Sequence, residues 1–345
     1  MSKKEKDILE KCRDKKLRNI KLVDFAKNRV TDKTLSRIEE CSSFLQFIAN
    51  KDLSKKKLAT SNFCKNRFCP FCAWRKSLKE ALQVRTCMKY LKSKEVQEFY
   101  FLTLTAPNVS GDSLENEIKN FNIGFKRLMQ LKEVKELVRG YARKLEVTYN
   151  SEPKITKKMF KNESLRNYFK RKGLTIGDPN PNYNTYHPHF HVILCVDKNT
   201  FKKQAMLDWL KLWQDATRKT NITQVKCDKI NMKVKANKEA LEIAKYASKD
   251  SDYLHSQDVF DTFYKALKGK RILVYSGNFK KAVELYKQGK LDILKDKDTE
   301  EYIYLLMYQW SEDNNYKELV NRELTEEEYK KYNGHLIDEV SDDEE

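Results

Sequence analysis

Glycine is scarce in this chain. Only nine of the 345 residues are glycine, and no two fall at the spacing of a phosphate-cradling loop, which excludes nucleotide chemistry of the P-loop or dinucleotide-fold kind. No apolar run approaches the length of a membrane span. The opening MSKKEKDILEKC lacks the apolar segment of a secretory signal. The chain is therefore expected in the cytoplasm, without a membrane partner. No internal repeat is visible. Acidic residues are outnumbered, with 50 Asp+Glu against 69 Lys+Arg and a formal net charge of +19. That surplus favours a polyanionic partner, and nucleic acid is the one it suits best.

Histidine is also rare, five in all, and three of the five stand in YHPHFHVIL at 186–194. Alternate residues of a strand face the same way, so His187, His189 and His191 share one face. By itself this is either an ordinary strand carrying imidazoles or one wall of a metal site. The preceding strand, GYARKLEVTY at 140–149, can pair with it as an antiparallel hairpin and carries Glu146 between apolar neighbours. Two imidazoles and a carboxylate would hold a divalent ion with open positions, able to polarise a phosphate oxygen. His187 ranks below His189 and His191, because Pro188 is expected to bend the start of the strand.

Eight cysteines without a secretory signal argue against a disulfide framework. Cys64, Cys69 and Cys72 form the run CKNRFCPFC, and Cys41 lies upstream in EECSSF. Four thiolates suit a tetrahedral structural zinc. Cys41 is the expected fourth ligand, with Cys87 in reserve. Arg67, Arg75 and Lys76 place positive charge around this knuckle, as a phosphate-facing surface would. A zinc deaminase does not fit, since HxE is absent and Pro70 lies inside the CxxC.

The periodicities predict a helix over 75–98, then strand 98–106, helix 112–137, strand 140–149, strand 187–196, helix 200–220, strand 222–234 and helix 237–249. From 98 onward the order is β-α-β-β-α-β, the connectivity of an antiparallel ferredoxin-like sheet in an α+β protein. Five regions follow: a basic N-terminal arm at 1–35 (a basic helix or a mobile arm), a Cys-rich zinc module and helix at 36–97, and a core at 98–255 with a basic loop inserted at 150–186. A helix-rich C-terminal region at 256–322 and an acidic, mobile tail at 323–345 complete the chain.

In EIAKYASKDSDY, at 242–253, Glu242 and Tyr246 are four apart and share a helix face. Near a metal-bound phosphate, Tyr246 can attack and leave a covalent phosphotyrosine. Glu242 can activate the water that ends the cycle, and Lys245 and Lys249 can steer the phosphate.

Taken in order, FLTLT at 101–105, HFH within HPHFHVIL and EIAKYASKDSDY resemble the three motifs of HUH endonucleases. With NFCKNRFCPFCAWRKSLK, the set looks most like plasmid rolling-circle replication initiators that have one catalytic tyrosine and a nearby glutamate. The resemblance spans roughly residues 36–310. It implies binding of a plasmid double-strand origin, nicking of one DNA strand, retention of the 5′ phosphate and release of a 3′ hydroxyl primer. It matches His189 and His191 to metal-binding histidines, Tyr246 to the nucleophile and Glu242 to the terminating glutamate. Glu146 falls at the usual place of an acidic ligand. The implied ion is Mn2+ or Mg2+, and the implied partners are a host helicase and a DNA polymerase, with a homodimer also considered. The alternatives are a transposase or relaxase of the same chemistry and a non-catalytic zinc-finger DNA-binding protein. The tyrosine follows the histidine motif here, whereas relaxases often place it ahead.

Overall fold

The computed structural model describes residues 7–94, 97–197, 207–232, 240, 242–243 and 250–340. The chain forms two compact units, one from Met1–Gln97, Ile230–Tyr246 and Tyr275–Glu345, the other from Glu98–Lys229 and Ala247–Val274.

The first unit begins with helices α1 (Ile8–Ala26) and α2 (Asp32–Glu40). Of the basic helix and the mobile arm expected for this segment, the structure has the helix, packed from Ile8 onward. Cys12, Lys16, Asn19, Leu22 and Ala26 recur at helical spacing and are buried. Strands β1 (Phe44–Ala49) and β2 (Lys56–Ser61) pair antiparallel. Helix α3 (Pro70–Lys94) opens on a proline, which suits a first turn whose N–H has no partner to lose.

The second unit starts with β3 (Gln97–Thr105), α4 (Gly111–Leu128), α5 (Lys132–Leu137) and β4 (Val138–Asn150). The segment read as an inserted loop contains two capped helices, α6 (Lys157–Lys161) and α7 (Glu163–Arg171). Strand β5 (Thr185–Asp197), α8 (Trp209–Thr217), β6 (Val225–Lys229), α9 (Asp250–Tyr253), α10 (Gln257–Leu267) and β7 (Leu273–Ser276) follow. The sheet order is β6-β3-β5-β4-β7. Within it β4–β5 and β3–β6 are antiparallel, so the β-α-β-β-α-β connectivity is realised with β3 and β5 in the middle. One face of β5 is apolar and meets the helices: Phe190 packs on Phe121 and Phe125 of α4, and Phe121 on Trp213 of α8. The opposite face carries the histidines.

The chain then returns to the first unit through α11 (Gly277–Lys287), β8 (Tyr304–Trp310), β9 (Tyr316–Glu323) and α12 (Glu326–Tyr332). YLLMYQW, placed in a helix-rich region by its sequence, is a strand. It completes a four-stranded sheet of order β2-β1-β8-β9, in which Phe47 faces Leu306 and Ile48 faces Leu305. The acidic end is docked rather than mobile up to Val340, which is buried and donates its N–H to Leu78 O. Lys57 pairs with Asp298 and Asp338 at 3.1 and 3.3 Å.

Arg75 is corrected by the same docking. Instead of facing phosphate it is buried, paired with Glu339 and hydrogen-bonded to Leu58 O at 3.4 Å. Replacing it with Met leaves a carboxylate buried without its partner. Arg75→Met is expected to lower unfolding stability by about 3–5 kcal/mol, whereas exposed Lys76→Ala should stay within about 0.5 kcal/mol. Denaturant melts of the two variants check this, and equal melts would refute a stabilising role for the pair.

Candidate metal centres

Glu146, His189 and His191 come together on the face of the second unit's sheet opposite Phe190. Glu146 lies directly opposite His189 in the β4–β5 ladder, and Lys144 opposite His191. Both imidazole Nε2 atoms converge on one carboxylate oxygen, Glu146 Oε2, at 3.2 Å from His189 and 3.1 Å from His191. The three ligand atoms lie within 4.8 Å of one another.

The far side of each ring is held. His189 Nδ1 stands 3.3 Å from the His187 carbonyl oxygen, and His191 Nδ1 stands 3.4 Å from Thr103 Oγ1. A carbonyl can only accept, so His189 carries its proton on Nδ1. In the neutral ring, Nε2 then turns a lone pair toward a carboxylate oxygen. Two lone pairs at that distance repel, and a cation between them removes the conflict, so the donor set fits a divalent ion. Burial alone would lift the Glu146 carboxyl. With a proton on each Nε2 instead, hydrogen bonding from His189 and His191 outweighs it and holds the group well below the usual carboxylate range.

His187 stays out of the set, but not for the expected reason. The β4–β5 pairing runs unbroken through Pro188, so the strand does not bend there. His187 instead serves through its backbone oxygen. Burial, with the His189 ring beside it, pushes its own imidazole down to about 4.

Three neighbours escaped the sequence reading. Thr103 and the Phe101 ring, 5.4 Å from the His191 ring, come from β3, and Lys144 is buried two residues before Glu146. The alternation of FLTLT and KLEV carried that signal, because residues two apart share a face.

The segment that follows EIAKY in sequence returns to this sheet at α9. Asp252 Oδ2 accepts the Tyr149 N–H at 3.2 Å, and the His255 ring lies 5.4 Å from that of Tyr149. Glu242 sits on a half-buried helical turn in the first unit, beside fully buried Ile243. Tyr246, Lys245 and Lys249 lie outside the described residues.

In the first unit Cys41, Cys64, Cys69 and Cys72 form the second cluster. The Cys41–Cys72, Cys64–Cys72 and Cys41–Cys69 sulfur separations are 3.5, 3.6 and 3.6 Å. A tetrahedral zinc with bonds of about 2.3 Å needs edges of about 3.8 Å, so the cage has close to the right size. Backbone N–H groups of Cys64, Lys65, Asn66 and Cys72 point at the sulfurs at 3.3–3.5 Å, as thiolates require. Lys16 of α1 is buried beside them and donates to the Glu39 and Cys41 carbonyls at 2.7 and 2.8 Å. Cys87, the reserve ligand, lies elsewhere, and burial pushes its thiol up to about 12. Arg67 is exposed, and exposed Lys76 pairs with Glu80 at 3.5 Å.

Fold and site together define an α+β protein with one closed thiolate cage and one open His-His-Glu set. Among the described residues no helix is long and apolar enough to cross a membrane. Residues 55–317 match the family model Rep_1, described as a replication protein. A "Protein rep" of Staphylococcus aureus is 42% identical over 250 residues, covering 71% of this chain and 95% of the relative. A "Protein rep" of Bacillus amyloliquefaciens is 32% identical over 283 residues, covering 75% and 74%. One of Lentilactobacillus hilgardii is 30% identical over 295 residues, covering 81% and 82%. No solved structure matches. The chain belongs to the Rep_1 family of replication proteins, the plasmid rolling-circle replication initiators.

Proposed function

We infer that this protein nicks one strand at a plasmid double-strand origin through HUH chemistry on the ferredoxin-like sheet of its second unit. The observation that carries the reading is the convergence of two Nε2 atoms on Glu146 Oε2. Mn2+ or Mg2+, held there by Glu146, His189 and His191, would polarise the scissile phosphate. Zinc on Cys41, Cys64, Cys69 and Cys72 is structural.

Tyr246 supplies the nucleophile. Its hydroxyl oxygen bonds to phosphorus as the bond from phosphorus to the 3′ oxygen breaks. The phenol gives up a proton and the leaving oxygen takes one, so a 3′ hydroxyl and a 5′ phosphotyrosine result. Lys245 and Lys249 steer the phosphate. Glu242 removes a proton from the water that later hydrolyses the adduct and ends the round. A host helicase and polymerase would extend the primer. Transposase or relaxase chemistry would share the first step. A non-catalytic zinc-finger protein would share none of it.

The test is a labelled single-stranded origin oligonucleotide incubated with protein and Mn2+, followed by a denaturing gel and mass spectrometry. A covalent adduct mapped to Tyr246 is expected. An adduct on another residue removes the assigned nucleophile, and no adduct favours the non-catalytic reading. Glu242→Ala is expected to form the adduct yet release it slowly. Release at the wild-type rate would refute the general-base role.

A further inference from the structure

The β4–β5 insertion is a small folded module rather than a connecting loop. Ile155 is buried and exchanges backbone bonds with Asp178 and Gly177, each 2.9 Å. The Phe160 and Phe169 rings stack at 5.9 Å, and the buried Asn180 side chain donates to Asn150 Oδ1 and Glu152 O. Thr156 caps α6 and Asn162 caps α7. The module is therefore held to the hairpin end by its own core and cannot be treated as solvated chain.

Its charge is one-sided. Residues 151–184 contain eight Lys/Arg against three Asp/Glu. Lys157, Lys158 and Lys161 on α6, and Lys170, Arg171 and Lys172 at the end of α7, are all exposed. Several lysines on other solvated helices pair with an acid one turn away: Lys27 with Asp24, Lys76 with Glu80, Lys119 with Glu115, Lys211 with Asp215. None of these six has an ion pair among the described residues, although Lys172 lies over the Tyr168 ring at 5.2 Å. Among the described residues they gain no acidic partner to offset their mutual repulsion, which suits a surface whose counter-charge arrives from outside.

The location is equally specific. The Glu146–His189 pair is four residues from the Asn150–Thr185 pair where the module begins, about 13 Å at the rise of a strand. Phe160, Tyr168 and Phe169 are used in the module's packing, and exposed Tyr183 lies outside its two helices, so the basic helices offer charge without a stacking platform. Single strands are held by both, whereas duplex phosphates need charge alone.

We propose that the module of residues 151–184 is a phosphate-gripping surface for duplex DNA adjoining the strand that enters the His-His-Glu site. This rests on the nuclease reading for its neighbour, though the surface can be tested without it. The experiment compares wild type with Lys157→Ala/Lys158→Ala/Lys161→Ala. Binding to a fluorescent 20-base-pair duplex is followed by anisotropy across a salt series, without added divalent metal. Three lost phosphate contacts should flatten the slope of log affinity against log salt by about 2–3 and weaken binding roughly 10- to 100-fold at 0.15 M salt. The thermal midpoint should stay put, because all three side chains are exposed.

Lys280→Ala/Lys281→Ala/Lys287→Ala removes the same charge from α11 and should change the slope far less. An unchanged slope in the α6 variant, an equal loss in the α11 variant, or a loss confined to single-stranded DNA would each overturn the proposal. The oligonucleotide adduct assay separates the two readings. No adduct with an intact difference in slopes sinks only the nuclease; an adduct with identical slopes sinks only the surface.

Discussion

Glu146→Ala is expected to reduce divalent-dependent strand cleavage by at least about 100-fold, some 2.7 kcal/mol of barrier. Glu146 is the one anion in its donor set, and both rings aim their Nε2 atoms at its Oε2. Without it, two neutral imidazoles face the ion and nothing offsets its charge. The same variant gives a reading that needs no DNA. Metal at 100 times its dissociation constant should stabilise the wild-type protein by about 2.7 kcal/mol, and the variant by close to nothing. A metal-dependent thermal shift that survives Glu146→Ala would show that the ion sits elsewhere.

Zinc removal is expected to act on stability rather than on chemistry. Structural zinc contributes about 10–16 kcal/mol of apparent binding energy, as much as the whole stability of a typical domain. The four cysteines that would hold it come from the end of α2, the segment after β2 and the start of α3, so the ion would tie three separate pieces of the first unit together. One zinc per chain is expected by mass spectrometry, lost together with cooperative melting in Cys69→Ser or Cys41→Ser. Cys87→Ser should keep its zinc. Full zinc in Cys41→Ser and none in Cys87→Ser would overturn the ligand assignment.

The parts of the molecule legible in the sequence are those whose signal is local. A two-residue period put His189 and His191 on one face, a CxxC turn placed two thiolates, and alternating elements yielded β-α-β-β-α-β in order. Cys41, distant by 23 residues from Cys64, was within reach because few cysteines compete for the role. What stayed illegible depends on partners far along the chain. YLLMYQW has too few residues to declare its period, and its strand character comes from pairing with β1. Arg75 looked like phosphate-binding charge until Glu339 arrived from 264 residues away. The insertion read as a loop because its core is only a few side chains, and its polar surface hides them.

The sheet order β2-β1-β8-β9 has a consequence for how the protein is made. β1 is synthesised within the first 50 residues, yet its inner partner β8 begins only at Tyr304. On the ribosome every residue of the second unit emerges before that edge of β1 can close, and domains tend to fold as they emerge. The second unit is thus complete while the first still presents β1 with a bare edge. A message truncated before residue 304 would yield the former without the latter, and the bare β1 edge would invite aggregation. Closure of the first unit's sheet therefore waits on the arrival of β8 and β9.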